Sequence, residues 1–168
     1  MIHGAKTKQT GYTLVEVLVV LFIISIVTSV ALLSIRQNEN KEMESFANEL
    51  TQIVSLAEEQ AMLTPSVLGL SFGDQSFHFT SLQASRDGKK DAWAPLSDAV
   101  LGSHKIPANF EVSVKTGGQQ AANKGPQIVI STDGEMTPFV IYIGKRGKKP
   151  RYVISGDADG TVTNKFLS

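Results

Sequence analysis

A single carboxylate stands at the edge of an otherwise uncharged stretch near the start of this 168-residue chain. Glu16 is followed by the 19 uncharged residues 17–35, and the next charged residue is Arg36. An unpaired carboxylate at the edge of a hydrocarbon layer costs about 2–3 kcal/mol, so such a residue usually has a function and a partner. The chemistry that suits Glu16 is therefore ion pairing with a cation held at the same depth.

The remaining residues offer little catalytic chemistry. His3, His78 and His104 are widely separated, and no nucleophile elbow is present. The chain has no cysteine, which excludes disulfides and thiolate catalysis. Residues 144–149 combine glycine and lysine without the spacing or the Ser/Thr of a phosphate-binding loop. We expect no enzymatic activity and no catalytic residue.

A pair of aspartates near the end of the chain resembles a fragment of a calcium loop. Asp157 and Asp159 precede Gly160, but no glutamate follows to close such a loop. The pattern therefore favours a hairpin turn, and we expect no metal and no cofactor.

Positive charge is concentrated in one short segment, which we call the basic loop (residues 145–151). Three interpretations remain open: a solvated hairpin whose lysines protect a sheet edge, a contact for nucleic-acid phosphates, or a docking site for an acidic patch on a protein partner. The cations are Lys145, Arg146, Lys148, Lys149 and Arg151.

The apolar run that follows Glu16 is long enough to cross a membrane. Nineteen helical residues at about 1.5 Å each nearly span a hydrocarbon core of about 30 Å. An ordinary secretory signal has a shorter apolar run and a cleavage site after it. A plain single-pass anchor would fit the length but would leave Glu16 unexplained.

The residues around Glu16 carry a resemblance. The segment 8–17, Lys-Gln-Thr-Gly-Tyr-Thr-Leu-Val-Glu-Val, resembles the class III signal of type IV pilins and type II secretion pseudopilins, with Tyr12 where the family usually has Phe. The resemblance implies that a prepilin peptidase cleaves after Gly11 and N-methylates Tyr12, and that Glu16 then pairs with the Tyr12 amine of a neighbouring subunit. Lys6 and Lys8 predict a cytoplasmic N-terminus.

The helical pattern continues beyond the apolar run. Over residues 37–62, apolar side chains recur at three- and four-residue steps, and no Pro or Gly lies between Tyr12 and Thr64. Pro65 is expected to end the helix. The predicted core stripe contains Phe46, Leu50, Ile53 or Val54, Ala57 and Ala61.

After Pro65 the pattern changes to short β-rich runs separated by turns. Segments 67–72 and 76–80 predict a hairpin, with His78 facing solvent. In segment 110–115 we expect Phe110, Val112 and Val114 to face inward. Segments 83–105 and 116–126 are predicted to be loops. We expect an α+β, pilin-like fold in which a long N-terminal helix packs on antiparallel β-sheets.

A second, narrower resemblance lies in the β-rich half. Residues 130–139, together with 68–72 and, more loosely, Trp93 and Leu96, resemble segments of the minor pseudopilin H subunits of type II secretion. Physically, the main segment predicts a tight turn feeding a strand. Its signature residues are Gly134, Glu135, Thr137, Pro138 and Phe139.

The resemblance implies a structural subunit near the tip of the secretion pseudopilus, which supports export of folded proteins. Its partners would be the major pseudopilin G, the minor pseudopilins I, J and K, the prepilin peptidase and the inner-membrane assembly platform. The alternative is a minor type IV pilin for pilus assembly or DNA uptake. The expected organisation is a leader (1–11), a transmembrane helix in the inner membrane (12–35), an amphipathic continuation (36–64) and a periplasmic domain (65–168).

Overall fold

The structure is a computed structural model that describes residues 12–84, 91–120 and 125–167, with the side chains of 33–37 and 120 outside that description. The chain divides into two compact units, Met1–Lys41 and Glu42–Ser168. Helix α1 (Leu14–Leu63) contributes to both units. The helix ends two residues before Pro65, which confirms the expected stop, because the residue before a proline disfavours the helical conformation.

Within the second unit, α1 supplies one wall of the hydrophobic core. The predicted stripe is confirmed, and both Ile53 and Val54 belong to it. The prediction missed Met43 and Ala47, which extend the same face by one turn. The buried residues of this face are Met43, Phe46, Ala47, Leu50, Ile53, Val54, Ala57 and Ala61.

The β-strands form two antiparallel sheets that complete the second unit. Sheet I has the order β3-β2-β1-β7, with β4 also pairing with β2, and sheet II has the order β10-β9-β8-β5-β6. The strands are β1 (Leu68–Phe72), β2 (Ser76–Gln83), β3 (Ala92–Pro95), β4 (Ser103–Lys105), β5 (Phe110–Thr116), β6 (Gln119–Gln120), β7 (Ile128–Ile130), β8 (Phe139–Lys145), β9 (Pro150–Gly156) and β10 (Val162–Phe166). The long helix and antiparallel sheets confirm the expected α+β, pilin-like class.

Two of the predicted loops contain strands, and there the prediction was wrong. Segment 83–105 carries β3 and β4, which pair with β2, and segment 116–126 carries β6, which pairs with the end of β5. These strands are only two to four residues long. A run that short has no readable alternation, and its pairing is decided by the neighbouring strand.

The register of sheet II sorts its side chains into two faces. Val114, Ile141 and Ile154 are neighbours on β5, β8 and β9, and all three are buried in the core. Because side chains alternate along a strand, the adjacent row lies on the opposite, outer face. That row runs through Ser113, Tyr142, Val153 and Lys165.

Candidate functional site

The start of α1 is organised by two residues of the signal-like segment. The Glu16 backbone N–H donates to Thr13 Oγ1 at 3.3 Å, and the Val17 N–H donates to the Thr13 carbonyl oxygen at 3.3 Å. Thr13 is therefore the N-cap, and Glu16 occupies the third helical position, where a carboxylate also favours the positive end of the helix dipole. Tyr12 precedes the helix and is 83% exposed. Gly11 and the rest of the predicted leader lie outside the described residues.

The first part of α1 exposes an almost uninterrupted apolar surface. Residues Leu14–Leu32 form a helix long and apolar enough to cross a membrane, and none of this window is buried against protein. Its hydroxyl groups are satisfied within the helix, because Ser25, Thr28 and Ser29 donate to the carbonyl oxygens four residues earlier at 2.7–2.8 Å. The segment therefore suits a lipid or a bundle of apolar helices.

The segment 131–138, which we call the signature turn, carries the chain from sheet I to sheet II. Gly134 has φ +87°, and an atom at its Cβ position would lie 2.9 Å from Met62 Sδ. The Ser131 N–H donates to the Glu135 carbonyl oxygen at 2.7 Å, which closes the turn. The expected tight turn feeding a strand is confirmed, and only glycine fits at its buried corner.

The other signature residues differ in their hydrogen bonding and burial. Thr137 exchanges hydrogen bonds with Val129, donating its N–H to the Val129 carbonyl oxygen (2.9 Å) and accepting from the Val129 N–H through Oγ1 (3.2 Å). Phe139 is buried in the core, whereas the Glu135 and Pro138 side chains are exposed. Glu135 is thus a carboxylate displayed on a closely constrained turn.

Sequence reasoning missed the residues that support the signature turn. Half-buried Glu58 of α1 lies against both Gly134 and Gly160, and the Met136 N–H donates to the Ala158 carbonyl oxygen at 3.1 Å. The turn between β9 and β10 therefore packs on the signature turn. Residues 58, 134 and 160 are far apart in sequence, so no local pattern could have revealed this cluster.

The aspartate pair lies in the β9–β10 hairpin, as the turn interpretation predicts. The Thr161 N–H donates to Asp159 Oδ1 at 3.0 Å, and the Gly160 N–H donates to the Asp157 carbonyl oxygen at 3.2 Å. Hydrogen bonds from Thr161 lower the pKa of Asp159. Within residues 12–84, 91–120 and 125–167, no three His, Asp or Glu side chains converge in a way that could hold a metal ion.

The basic loop connects β8 to β9; two hydrogen bonds anchor it to residues outside the loop, and a third lies within it. The Arg146 N–H donates to the Asn109 carbonyl oxygen (3.0 Å), the Gly147 N–H to Glu111 Oε2 (3.1 Å), and the Lys148 N–H to the Lys145 carbonyl oxygen (2.9 Å). Residues 146–151 are exposed, whereas Lys145 is half-buried. The loop therefore displays its charges from a fixed backbone.

Two histidines come close in the fold without forming a catalytic group. His78 and His104 lie on the paired strands β2 and β4, yet His104 stacks on Phe77 with ring centroids 4.9 Å apart, whereas His78 is exposed, as predicted. Because Phe77 and His78 alternate along β2, the two imidazoles occupy opposite faces. His3 lies outside the described residues.

Comparison with known proteins supplies a family context. Residues 6–32 match the model of the prokaryotic N-terminal methylation motif. The chain is 28% identical over 164 residues to the type II secretion system protein H of Pseudomonas aeruginosa, covering 89% of this chain and 91% of that protein. It is 25% identical over 170 residues to the type II secretion system protein H of Aeromonas hydrophila, with 92% and 91% covered.

Solved structures agree with the fold. The minor pseudopilin EpsH of Vibrio cholerae superimposes with a TM-score of 0.65 at 19% identity, covering 76% of this chain and 96% of that one. The solution structure of E. coli GspH gives a TM-score of 0.55 at 18% identity, covering 71% and 84%. At these identities the likeness concerns the fold.

Proposed function

We propose that this chain, a member of the type II secretion system protein H family, is a minor pseudopilin whose work is mechanical: it is a structural subunit of the pseudopilus that supports export of folded proteins. The observation that carries this proposal is the likeness to type II secretion system protein H along about nine-tenths of both chains. The amino-terminal methylation motif and the pilin-like fold support it independently.

Processing is proposed to follow the amino-terminal motif. A prepilin peptidase cleaves after Gly11 and N-methylates Tyr12, which leaves the apolar helix on the product as an anchor. The exposed position of Tyr12, ahead of the helix cap, keeps the new amine outside the helical hydrogen bonds. We place the leader at residues 1–11, the transmembrane helix at 12–35, its amphipathic continuation at 36–64 and the periplasmic domain at 65–168.

Assembly is proposed to use the helix surface and the charge at its start. Glu16 of one subunit pairs with the Tyr12 amine of its neighbour, and the pairing sets the register of stacked helices. Each charge is costly alone in an apolar bundle, whereas together they neutralise each other. The exposed apolar surface of Leu14–Leu32 supplies the packing area.

Before assembly the protein is proposed to be a single-pass protein of the inner membrane. Lys6 and Lys8 hold the N-terminus on the cytoplasmic side, so the β-rich domain lies in the periplasm. Its partners are proposed to be the major pseudopilin G, the minor pseudopilins I, J and K and the assembly platform, with a position near the fibre tip.

The alternative function is a minor type IV pilin for pilus assembly or DNA uptake, with the basic loop on nucleic acid. The relatives that match along the chain favour secretion. We propose that the basic loop and the exposed Glu135 contact protein partners.

A deletion strain separates the two functions. We expect loss of exoprotein release with normal natural transformation, and recovery of release when the intact gene is returned. Loss of transformation with normal release would reverse the assignment in favour of the type IV pilin.

A further inference from the structure

The outer face of sheet II contains a cleft next to the basic loop. It has a volume of about 370 Å³ and is formed by β5, β8 and the start of β9. Its lining residues are Glu111, Ser113, Lys115, Tyr142, Gly144, Lys148 and Pro150. Of these, only Lys148 belongs to the cations of the basic loop. The other lining residues come together through strand register, which the sequence does not reveal.

Two features shape the cleft. Gly144 forms part of it without a side chain, and the β8–β9 register shifts at Ile143/Gly144. A Cβ on Gly144 would lie 2.9 Å from Pro150 Cα and 3.2 Å from the Lys149 carbonyl oxygen, so the backbone strands approach closely there. The cleft is therefore a consequence of a bulge and a glycine, which often mark functional places in sheets.

Two of the three charged side chains that line the cleft, those of Lys115 and Glu111, are held in place. Lys115 Nζ lies 5.2 Å from the centroid of the Tyr142 ring, a cation–π contact that fixes the ammonium beside the cleft. Glu111 Oε2 accepts the Gly147 N–H at 3.1 Å, which commits part of this carboxylate to the basic loop. The cleft is therefore lined by two ammonium groups, by the hydroxyls of Ser113 and Tyr142 and by one carboxylate.

We propose that this cleft is a carboxylate-binding site that receives an acidic side chain from a neighbouring subunit. Lys115 and Lys148 supply the charge, and the Tyr142 and Ser113 hydroxyls supply neutral donors. Tyrosine is enriched at protein interfaces, and a charge pair across an interface fixes the orientation of the partner. The proposal rests on the proposed function only for the identity of the partner.

The arrangement favours an acidic protein segment over nucleic acid. Binding to a nucleic acid needs several cations spaced along its phosphate backbone. Here the row that crosses sheet II carries Ser113, Tyr142 and Val153 before it reaches Lys165.

The site can be tested on the full mature chain in a neutral detergent. The probes are fluorescently labelled hexaglutamate, hexaglutamine and a 20-base-pair DNA duplex, each measured by anisotropy at physiological salt. We expect hexaglutamate to bind and hexaglutamine not to bind. Lys115→Gln and Lys148→Gln should each weaken hexaglutamate binding by roughly tenfold.

Matched variants separate the cleft from general surface charge. Lys105→Gln removes an exposed lysine from β4 in sheet I and should leave binding unchanged. Tyr142→Phe keeps the ring under Lys115 and should lose only the hydroxyl contribution, a smaller effect. Thermal melting by circular dichroism confirms that each variant is folded. Equal hexaglutamate affinity in wild type, Lys115→Gln and Lys105→Gln would overturn the site, and so would lysine-dependent binding of DNA in preference to hexaglutamate.

A crosslinking experiment tests the partner separately. A photoreactive benzoylphenylalanine at Ser113 should crosslink to another pseudopilin in secreting cells, and Lys115→Glu should abolish that product. Hexaglutamate binding without any such crosslink would overturn the assignment of a neighbouring subunit as occupant. Failure of the proposed function would appear elsewhere, as normal exoprotein release from the deletion strain.

Discussion

Phe139 packs directly on Gly156, its registered neighbour across β8 and β9. The Phe139 side chain is 2% exposed, and a Cβ on Gly156 would lie 2.5 Å from its Cζ atom. The aromatic ring therefore occupies the space that any other residue at 156 would need. This relationship gives the last signature residue a structural role, since it anchors the strand that follows the signature turn.

Gly156→Ala is expected to destabilise the β-rich unit. The added methyl group cannot fit beside Phe139 without moving the ring or the strand, and overpacking of this kind costs about 1–3 kcal/mol. Urea unfolding of the full chain in detergent, followed by circular dichroism, measures the change. Phe139→Leu should reduce the cost of Gly156→Ala, because residues in contact couple. Strictly additive effects of the two changes would contradict the packing relationship.

Gly160→Ala is expected to be more damaging than the same change at a comparable open glycine. Gly160 has φ +90°, and its Cβ position meets the Glu58 carboxylate and lies 2.9 Å from the Gly134 carbonyl oxygen. Gly118 has φ +78°, and no atom of the described residues lies within 4 Å of its Cβ position, so Gly118→Ala isolates the conformational cost. We expect Gly160→Ala to lower the unfolding free energy by about 1–3 kcal/mol more than Gly118→Ala does. Equal losses of unfolding free energy in the two variants would show that the Glu58 side chain moves aside at no energetic cost.

Asp98 gives the turn before β4 a predictable pH dependence. Its Oδ1 accepts the N–H groups of Val100 (2.7 Å) and Leu101 (2.8 Å), and these bonds lower its pKa below 3.8. Because the folded-state pKa lies below the unfolded one, the stabilisation is fully present above the unfolded pKa and is lost as pH falls through the folded pKa. The protection factor of the Leu101 amide, which is its hydrogen-exchange rate relative to the intrinsic rate at the same pH, should therefore fall in that acidic window.

Asp98→Asn is the control for the titration. It keeps an oxygen that can accept the same hydrogen bonds but carries no proton-dependent charge. The acidic loss of protection at Leu101 should disappear in this variant, whereas Asp98→Ala should show a lower protection factor already at neutral pH. An unchanged pH profile in Asp98→Asn would assign the effect to another group.

The sequence predicts the elements of the fold whose residues follow a regular pattern along the chain. The stripe of Phe46, Leu50, Ala57 and Ala61 follows helical spacing, so its burial can be read without any partner. The β1–β2 hairpin is readable because two β-rich runs flank a short turn. Met43 and Ala47 were missed because they flank the predicted stripe, and only the packing of the folded core shows which flanking positions are buried.

The candidate sites likewise divide into one that is local in sequence and others that the fold assembles from separate elements. The amino-terminal motif is local, and its residues can be found by type and spacing. The cluster of Glu58, Gly134 and Gly160 and the cleft beside Tyr142 bring together residues from separate elements, and their positions depend on strand register. A one-residue change in register would move Lys115 to the other face of the sheet, so the sequence alone cannot place it.

Cleavage after Gly11 is a prediction that concerns residues outside the described range. Mass spectrometry of the purified protein should show a mature chain that begins at N-methylated Tyr12. Gly11→Val should accumulate the uncut precursor, because a branched side chain then precedes the cleaved bond. Gly4→Val alters another glycine ahead of the proposed cleavage site and should be processed normally. An intact leader on the wild-type protein in secreting cells would refute the processing site.

Glu16 is expected to act in assembly through its charge. Glu16→Gln keeps the size of the side chain and the backbone N–H that donates to Thr13 Oγ1, but it removes the carboxylate that we propose as the partner of the Tyr12 amine. An amine left unpaired in an apolar bundle costs about 2–3 kcal/mol, so co-purification with other pseudopilins should fall by roughly one to two orders of magnitude. Processing and membrane insertion should stay normal. Thr13→Val removes the cap and keeps the charge, and it should assemble far better than Glu16→Gln. If the two variants fail equally, helix capping and not ion pairing is what assembly requires of this motif.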